Sequence, residues 1–214
     1  MNISFKLLEN DATITKLILE SLQTQVQEAI FKIIPRISSD IKILVKNALL
    51  SEPEYTSLKA GTLRAEFGIP DASVVDQVID VLVNTLEIDS DPIKIMRNGL
   101  SGGFILKMIK KDDIGGVIYT DFASVVDDTN GYVLPWLEWL LLKGNEIIIQ
   151  NYSVNYINSP RSRSGMALMI KSDKAWRVPS NFSGTENNNW ITRAISKIDN
   201  DIVKTIQNTI ENNL

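Results

Sequence analysis

The spacing of apolar residues constrains the fold of this 214-residue chain most strongly, because it predicts helices at both ends. Near the start, apolar residues recur every three or four positions, which places them on one face of an amphipathic helix. The same spacing returns at the end of the chain, where six isoleucines lie opposite a polar face. The first stripe consists of Ile14, Ile18, Leu22, Val26, Ala29, Ile30 and Ile33, and the second of Ile191, Ile195, Ile198, Ile202, Ile206 and Ile210.

The first half of the chain is predicted to be helical, with breaks at proline and glycine. Asp11 or Thr13 caps the first helix, and Pro35 is expected to break or kink it. A second helix follows and is expected to end in the loop 51–55, after which a short element with two glycines spans 58–70. The second helix has the apolar positions Ile37, Ile41, Leu44, Val45, Ala48 and Leu49; a third, capped by Asp71 or Ser73, has Val74, Val75, Val78, Ile79, Leu82, Val83 and Leu86.

The period changes after the third helix, where alternating apolar residues predict β-strands. Two alternating runs, at 93–95 and 104–108, are joined by the glycine-rich segment 97–103 and predict a β-hairpin. Another extended piece is expected at 117–122. Further strands are predicted at 147–156 and 166–171, and a short helix at 136–142, ended by Gly144.

Together these elements predict an α+β fold with N-terminal helices, a mostly antiparallel β-sheet and a long C-terminal helix. The length favours a single domain over residues 1–214. Within it we expect a helical part at 1–50, a core at 55–195 and a closing helix at 189–214.

The chain contains no histidine and no cysteine, and this excludes several kinds of chemistry. Without imidazole or thiol groups there is no Ser-His-Asp triad, no thiolate nucleophile, no disulfide and no His or Cys metal ligand. Catalysis would depend on carboxylates, Lys, Ser or Tyr, so we expect a protein that is not an enzyme and needs no cofactor. The net charge of -4 argues against a dedicated nucleic-acid-binding protein.

The sequence also predicts no membrane anchor. The N-terminus lacks the charged-then-apolar pattern of a signal peptide. The longest strongly apolar run, 133–142, has about half of the roughly 20 residues that a membrane-spanning helix needs.

Aspartates near predicted turns offer an alternative with catalytic chemistry. Asp89, Asp91, Asp127 and Asp128 could supply oxygen ligands for Mg²⁺ in a small metal-dependent hydrolase. Their spacing matches no calcium-binding loop, and aspartates are common in turns because their side chains bond to the backbone. Turn formation is the favoured interpretation, and the hydrolase is kept as the alternative.

Two arginines and the tryptophans are candidate contact residues. Arg161 and Arg163 lie between serines in a polar loop, where they could bind phosphate or a carboxylate-rich partner. Tryptophan buries a large area and is enriched at interfaces, so each one is interpreted as a core residue or a contact anchor. The four tryptophans are Trp136, Trp139, Trp176 and Trp190, of which the first two and the last are predicted contacts.

Several short motifs, taken in order, resemble the neck or tail-completion family of tailed bacteriophages. Ala60-Gly-Thr-Leu-Arg follows the N-terminal helices, and 132–144 contains a Leu-Pro-Trp-Leu-Glu-Trp-Leu-Leu segment. Ser162-Arg-Ser-Gly and Trp176-Arg-Val-Pro continue the order. The segment 188–194 opens the closing helix, with Asn-Trp where better-known members often have Pro-Phe.

The resemblance implies a structural protein of the virion, made in the host cytoplasm. Members form rings, commonly hexamers, between the portal or adaptor proteins and the tail terminator or tail tube. Genomic DNA passes through such a ring without sequence-specific binding. Arg193, within the last motif, is a further predicted contact residue. The alternative in the same class is a tail terminator, which also forms a ring and caps the tail tube.

Overall fold

The computed structural model of the chain describes residues 10–97, 99–107, 116–127 and 131–213. Its elements confirm the α+β fold class, with a long helix near each end of the sequence and small antiparallel sheets. The helices are α1 (Asp11–Ser51), α2 (Pro53–Ala60), α3 (Thr62–Phe67), α4 (Ser73–Asn84), α5 (Trp136–Leu141) and α6 (Trp190–Glu211). The strands are β1 (Glu87–Ser90), β2 (Lys94–Met96), β3 (Gly99–Ser101), β4 (Phe104–Lys107), β5 (Val125–Val126), β6 (Val133–Leu134), β7 (Ile149–Asn155) and β8 (Leu168–Trp176).

The first two predicted helices form one helix, α1, which continues through Pro35. Proline has no amide hydrogen and its ring crowds the preceding turn, at a cost of about 3 kcal/mol in a helix interior. The helix persists because apolar residues on both sides of the proline are buried, with Ile33 7% and Ile37 0% exposed. Burying each such side chain contributes about 1.5–3 kcal/mol, which offsets the cost. The prediction of two separate helices is therefore wrong.

The described residues pack as two compact units. One contains 10–40, 87–97, 99–107 and 203–213, and the other 41–86, 116–127 and 131–202. Both α1 and α6 contribute residues to each unit. All six predicted contact residues belong to the second unit.

In the first unit, two glutamines of α1 hold the break between β1 and β2. Gln23 Nε2 donates to the Ile93 carbonyl at 2.5 Å, and Gln27 Oε1 accepts from the Ile93 amide at 2.7 Å. The glutamines are one turn apart on α1, so both reach the same residue. The two glutamines thus bond to the backbone N–H and C=O of Ile93, which is buried and lies outside the paired strands.

The predicted hairpin between the runs at 93–95 and 104–108 is wrong, although both runs contain strands. β2 pairs with β3, and β4 pairs with β1, so that Ile88 lies opposite Leu106. The runs predicted at 93–95 and 104–108 therefore do not pair with each other, and Met108 lies outside the described residues. β1 escaped prediction because its one buried apolar side chain, Ile88, is too little to establish an alternating pattern.

In the second unit, α2 and α3 follow α1 with single-residue breaks. Pro53 begins α2 directly after α1, so the loop predicted at 51–55 is reduced to Glu52. Gly61 separates α2 from α3. Gly68 ends α3 in the left-handed conformation, with φ of 69°, which glycine adopts without steric cost.

The N-cap of α4 is Ala72, without a side-chain capping hydrogen bond, so the prediction that Asp71 or Ser73 caps it is wrong; these two residues flank Ala72 and bond to each other. The Asp71 carboxylate accepts hydrogen bonds from the Ser73 amide at 2.8 Å and from its hydroxyl at 2.6 Å. These hydrogen bonds hold the pKa of Asp71 below its usual value. The helix ends at Asn84, so Leu86 is buried just beyond the element in which it was predicted.

The remaining strands form two further antiparallel pairs, β5 with β6 and β7 with β8. The second pair confirms the strands predicted at 147–156 and 166–171. The extended piece expected at 117–122 is wrong, because residues 116–118 are helical and 121–123 form a 3₁₀ helix. Its few apolar residues fit either period, and so short a run does not distinguish them. Within the described residues the strands form separate two-stranded sheets in place of one larger sheet.

We expect Pro35→Ala to raise the free energy of unfolding by about 1–3 kcal/mol, because alanine restores an amide donor inside α1. Arg36→Ala, at an exposed neighbouring position, is the control and should change stability by less than about 0.5 kcal/mol. Urea unfolding followed by circular dichroism measures both. A loss of stability in Pro35→Ala would show instead that the helix needs the proline.

Candidate functional site

Two of the four tryptophans pack around one phenylalanine in the core of the second unit. The Phe67 ring lies 6.2 Å from the Trp136 ring and 5.9 Å from the Trp176 ring, the latter edge-on at 77°. Trp136 Nε1 donates to the Phe122 carbonyl at 3.0 Å. Trp176 Nε1 donates to Glu66 Oε2 at 3.2 Å. The cluster joins α3, α5 and β8, with each indole nitrogen satisfied.

The predicted contact role has to be corrected for two tryptophans. Trp136 and Trp190 are both 0% exposed, so neither can touch a neighbouring molecule in this conformation. Trp190 Nε1 donates to the Leu49 carbonyl near the end of α1, at 3.2 Å. Both are core residues, because burying a large aromatic side chain removes a large apolar area from water. Trp139 is half-buried, and its contact role stays a prediction.

Asn189 caps α6 and is itself completely buried. Its Oδ1 accepts from the Ile191 amide at 3.0 Å and from the Thr192 amide at 3.1 Å. In return the Thr192 hydroxyl accepts from the Asn189 amide at 2.8 Å. This reciprocal capping box fixes where the helix begins and hence where its next two turns point.

Two buried glutamates at the start of α2 are neutralised by cations of α6. Glu52 is 4% exposed, and both its carboxylate oxygens accept from Lys197 Nζ, at 2.7 and 2.8 Å. Glu54 is 1% exposed, and its Oε1 accepts from Arg193 Nη2 at 2.5 Å. Glu54 Oε2 is buried without a hydrogen-bond partner in the described chain. A buried charge of this kind depends on its partner remaining in place.

Arg193 has a structural role within the chain, and its predicted contact with another molecule stays a prediction. Its guanidinium is occupied within the chain by Glu54 and by Asn188 Oδ1, the latter at 3.0 Å. Sequence reasoning missed the glutamates because they flank Pro53 and looked like loop residues. The available signal was the spacing of Arg193 and Lys197, which puts two cations one turn apart on one helix face.

Arg161 and Arg163 lie between β7 and β8 in a loop of residues 158–165, which we call the basic loop. Hydrogen bonds close two consecutive turns in it, and serine hydroxyls accept from nearby backbone amides. The backbone of the loop is therefore fixed without help from the arginine side chains. The turn bonds run from Ser162 N–H to the Ser159 carbonyl (3.0 Å) and from Gly165 N–H to the Ser162 carbonyl (3.1 Å). The hydroxyls of Ser159, Ser162 and Ser164 accept from the amides of Arg161, Ala167 and Met166 at 3.2, 3.3 and 3.2 Å.

Both arginine side chains of the basic loop are exposed and unused. Neither guanidinium forms a hydrogen bond or an ion pair with another residue of the described chain. Arg64, in contrast, donates to three backbone carbonyls. Arg163 lies against Gly68, where a Cβ atom would stand 3.3 Å from Arg163 Nε. The glycine that ends α3 therefore also makes room for this side chain.

The two arginines line a cleft of about 300 Å³, which we call the arginine cleft. Its lining is mixed: apolar residues come largely from β7 and β8, and two carboxylates also line it. Its other lining residues include Glu66, Asp127, Val154, Ala167, Leu168 and Met169.

The Glu66 carboxylate is engaged within the chain. Glu66 accepts a hydrogen bond from the Tyr156 hydroxyl as well as one from Trp176 Nε1. Burial raises the pKa of Tyr156, and the hydrogen bond to Glu66 raises it further, so the hydroxyl keeps its proton. Glu66 is thus held by two neutral donors from β8 and the end of β7, and not by the arginines. Sequence reasoning did not single out Glu66.

The aspartates proposed as metal ligands are not brought together by the structure where it describes them. Asp89 on β1 forms an ion pair with Lys107 on β4, and the Asp91 amide donates to the Gly103 carbonyl at 2.8 Å. Within residues 10–97, 99–107, 116–127 and 131–213, no three acidic residues are grouped so that they could hold a metal ion. Asp128 lies outside the described residues, so the hydrolase alternative stays an untested prediction.

No protein-family model, no curated protein and no solved structure matches this chain. None of the helices in the described part of the chain is long and apolar enough to cross a membrane.

We expect Arg193→Ala to lower the free energy of unfolding by about 3–5 kcal/mol, because it leaves the Glu54 carboxylate buried without its cation. Arg161→Ala makes the same substitution at an exposed, unpaired position and should change stability by less than about 0.5 kcal/mol. Adding Glu54→Gln to Arg193→Ala should recover part of the loss. Chemical denaturation measures all three variants, and equal losses in the two arginine variants would contradict the buried pair.

We expect Gly68→Ala to destabilise the chain by roughly 1–2 kcal/mol for the left-handed backbone, plus the cost of displacing Arg163. Gly165→Ala is a matched control, because Gly165 has φ of 75° and no atom within 4 Å of its would-be Cβ. The double variant Gly68→Ala/Arg163→Ala should lose about as much free energy of unfolding as Gly165→Ala does alone. A double-mutant cycle by thermal unfolding tests this, and strict additivity would show that the two residues do not interact.

Proposed function

We propose that this chain is a structural subunit of a ring in the neck of a tailed bacteriophage, where the head joins the tail. It acts in the virion without catalysis, in keeping with a chain that has no histidine and no cysteine. The ordered motifs between residues 60 and 194 suggest the family. The structural observation that carries the proposal is the exposed apolar surface at the start of α1.

The first five turns of α1 have no buried side chain. Between residues 11 and 29 every side chain is exposed or half-exposed, and the first buried residue is Ile30. Ile18 and Leu22 are exposed although they lie on the apolar side of the helix, Leu17 is exposed at the edge of that side, and we call these three the α1 stripe. The apolar side of an amphipathic helix normally packs against another surface, and here no residue of the described chain buries it.

A neighbouring copy of this chain covers the α1 stripe in the proposed ring. The opposite side of the helix is polar there, with Lys16 and Glu20 paired at 3.7 Å. The apolar surface that is exposed to water therefore lies mainly on one side of this segment. In a closed ring each copy meets the next through the same pair of surfaces, so every stripe is covered once. Apolar faces of this kind drive stable self-association.

We expect Ile18→Glu to weaken self-association at least about tenfold, because it puts a charge on the α1 stripe. Ala12→Glu introduces the same side chain on the other side of the same helix and should leave association unchanged. Light scattering after size-exclusion chromatography gives the mass of each variant over a range of concentrations. Equal behaviour of the two variants would remove the α1 stripe from the subunit contact.

The position in the particle is tested separately from the ring. Virions are dissociated, heads and tails are separated, and the chain is quantified in each fraction by mass spectrometry. A neck subunit is expected on completed heads from a tail-deficient infection. Recovery only on headless tails would point to the tail terminator, and absence from all particles would contradict a virion role.

A further inference from the structure

We propose that the arginine cleft receives carboxylate side chains from a neighbouring copy of this chain. This inference rests on the proposed ring and assigns a second part of the contact between subunits. The ligand is a side-chain carboxylate, which a guanidinium binds through two parallel hydrogen bonds.

The first support is that the cleft is preformed. The basic loop is held by its own turns and serine hydroxyls, and Gly68 leaves room for Arg163 beside the end of α3. Because the backbone of the loop is already ordered, binding a partner does not incur the entropic cost of ordering it.

The second support is that both guanidinium groups are available. Arg161 and Arg163 bond to no other residue of the described chain, and Glu66 in the same cleft is held by neutral donors from Tyr156 and Trp176. The N–H donors of the two arginines are thus not taken up by that carboxylate. An incoming carboxylate would find these donors available for hydrogen bonding.

The third support is charge complementarity within this one sequence. Residues 149–177 carry five basic residues and one acidic residue, whereas the whole chain has 22 basic and 26 acidic residues. The remainder of the chain is therefore strongly acidic. A ring brings different surfaces of successive copies together, so the basic region of one copy meets an acidic region of the next. The charged residues of the segment are Arg161, Arg163, Lys171, Asp173, Lys174 and Arg177.

The test compares two double variants of the full-length chain with equal loss of charge. Arg161→Gln/Arg163→Gln removes both guanidinium groups from the cleft. Lys174→Gln/Arg177→Gln removes two exposed cations that do not line it. Circular dichroism and thermal unfolding establish that both variants fold like the wild type. Sedimentation velocity then gives the association constant at about 50 and 500 mM NaCl, where screening differs strongly.

The cleft variant should associate at least about tenfold more weakly than the wild type and lose most of its salt dependence, while the control variant keeps both. Wild-type association in both double variants would overturn this inference and leave the ring proposal intact. Equal weakening in both would also overturn it, since net charge alone would then explain the loss. A wild type that stays monomeric at every concentration would contradict the ring proposal itself, and this inference with it.

Discussion

The packing of the second unit depends on two buried glutamates whose charges are neutralised from one face of α6. Because Asn189 fixes the first turn of that helix, its cations arrive at defined positions beside the end of α1 and the start of α2. Removing either cation would leave a carboxylate charged in an environment of low dielectric constant, which costs several kcal/mol. An indole hydrogen bond secures the same helix start. The contacts are Glu52–Lys197, Glu54–Arg193 and Trp190–Leu49.

The arginines of this chain fall into two groups: some bond to acceptors within the fold, and others are exposed to solvent without such bonds. Arg193 and Arg64 are occupied by acceptors of their own chain, whereas Arg161 and Arg163 are ordered by their loop and left unused. The aromatic residues divide in a similar way, with Trp136 and Trp190 buried and Trp139 half-buried. The two surfaces proposed for assembly are the apolar stripe at the start of α1 and the arginine cleft.

The sequence allowed α4, the closing helix α6 and the strands β7 and β8 to be predicted because their apolar periods run over several residues. It could not reveal that α1 passes through Pro35, since that depends on tertiary burial on both sides of the proline. It missed β1, whose single buried side chain forms no pattern. For the site, the basic loop was predicted from composition, but the state of each arginine was not. A free guanidinium and one bound to a buried carboxylate look the same in a sequence, because the partner of Arg193 is far away along the chain.

Electron microscopy of the purified wild-type protein tests the central claim most directly, because it images the assembly without reference to a partner. We predict closed rings of uniform subunit number with a central opening wide enough for a DNA duplex. Single compact particles with the mass of one chain, at concentrations up to tens of micromolar, would contradict it.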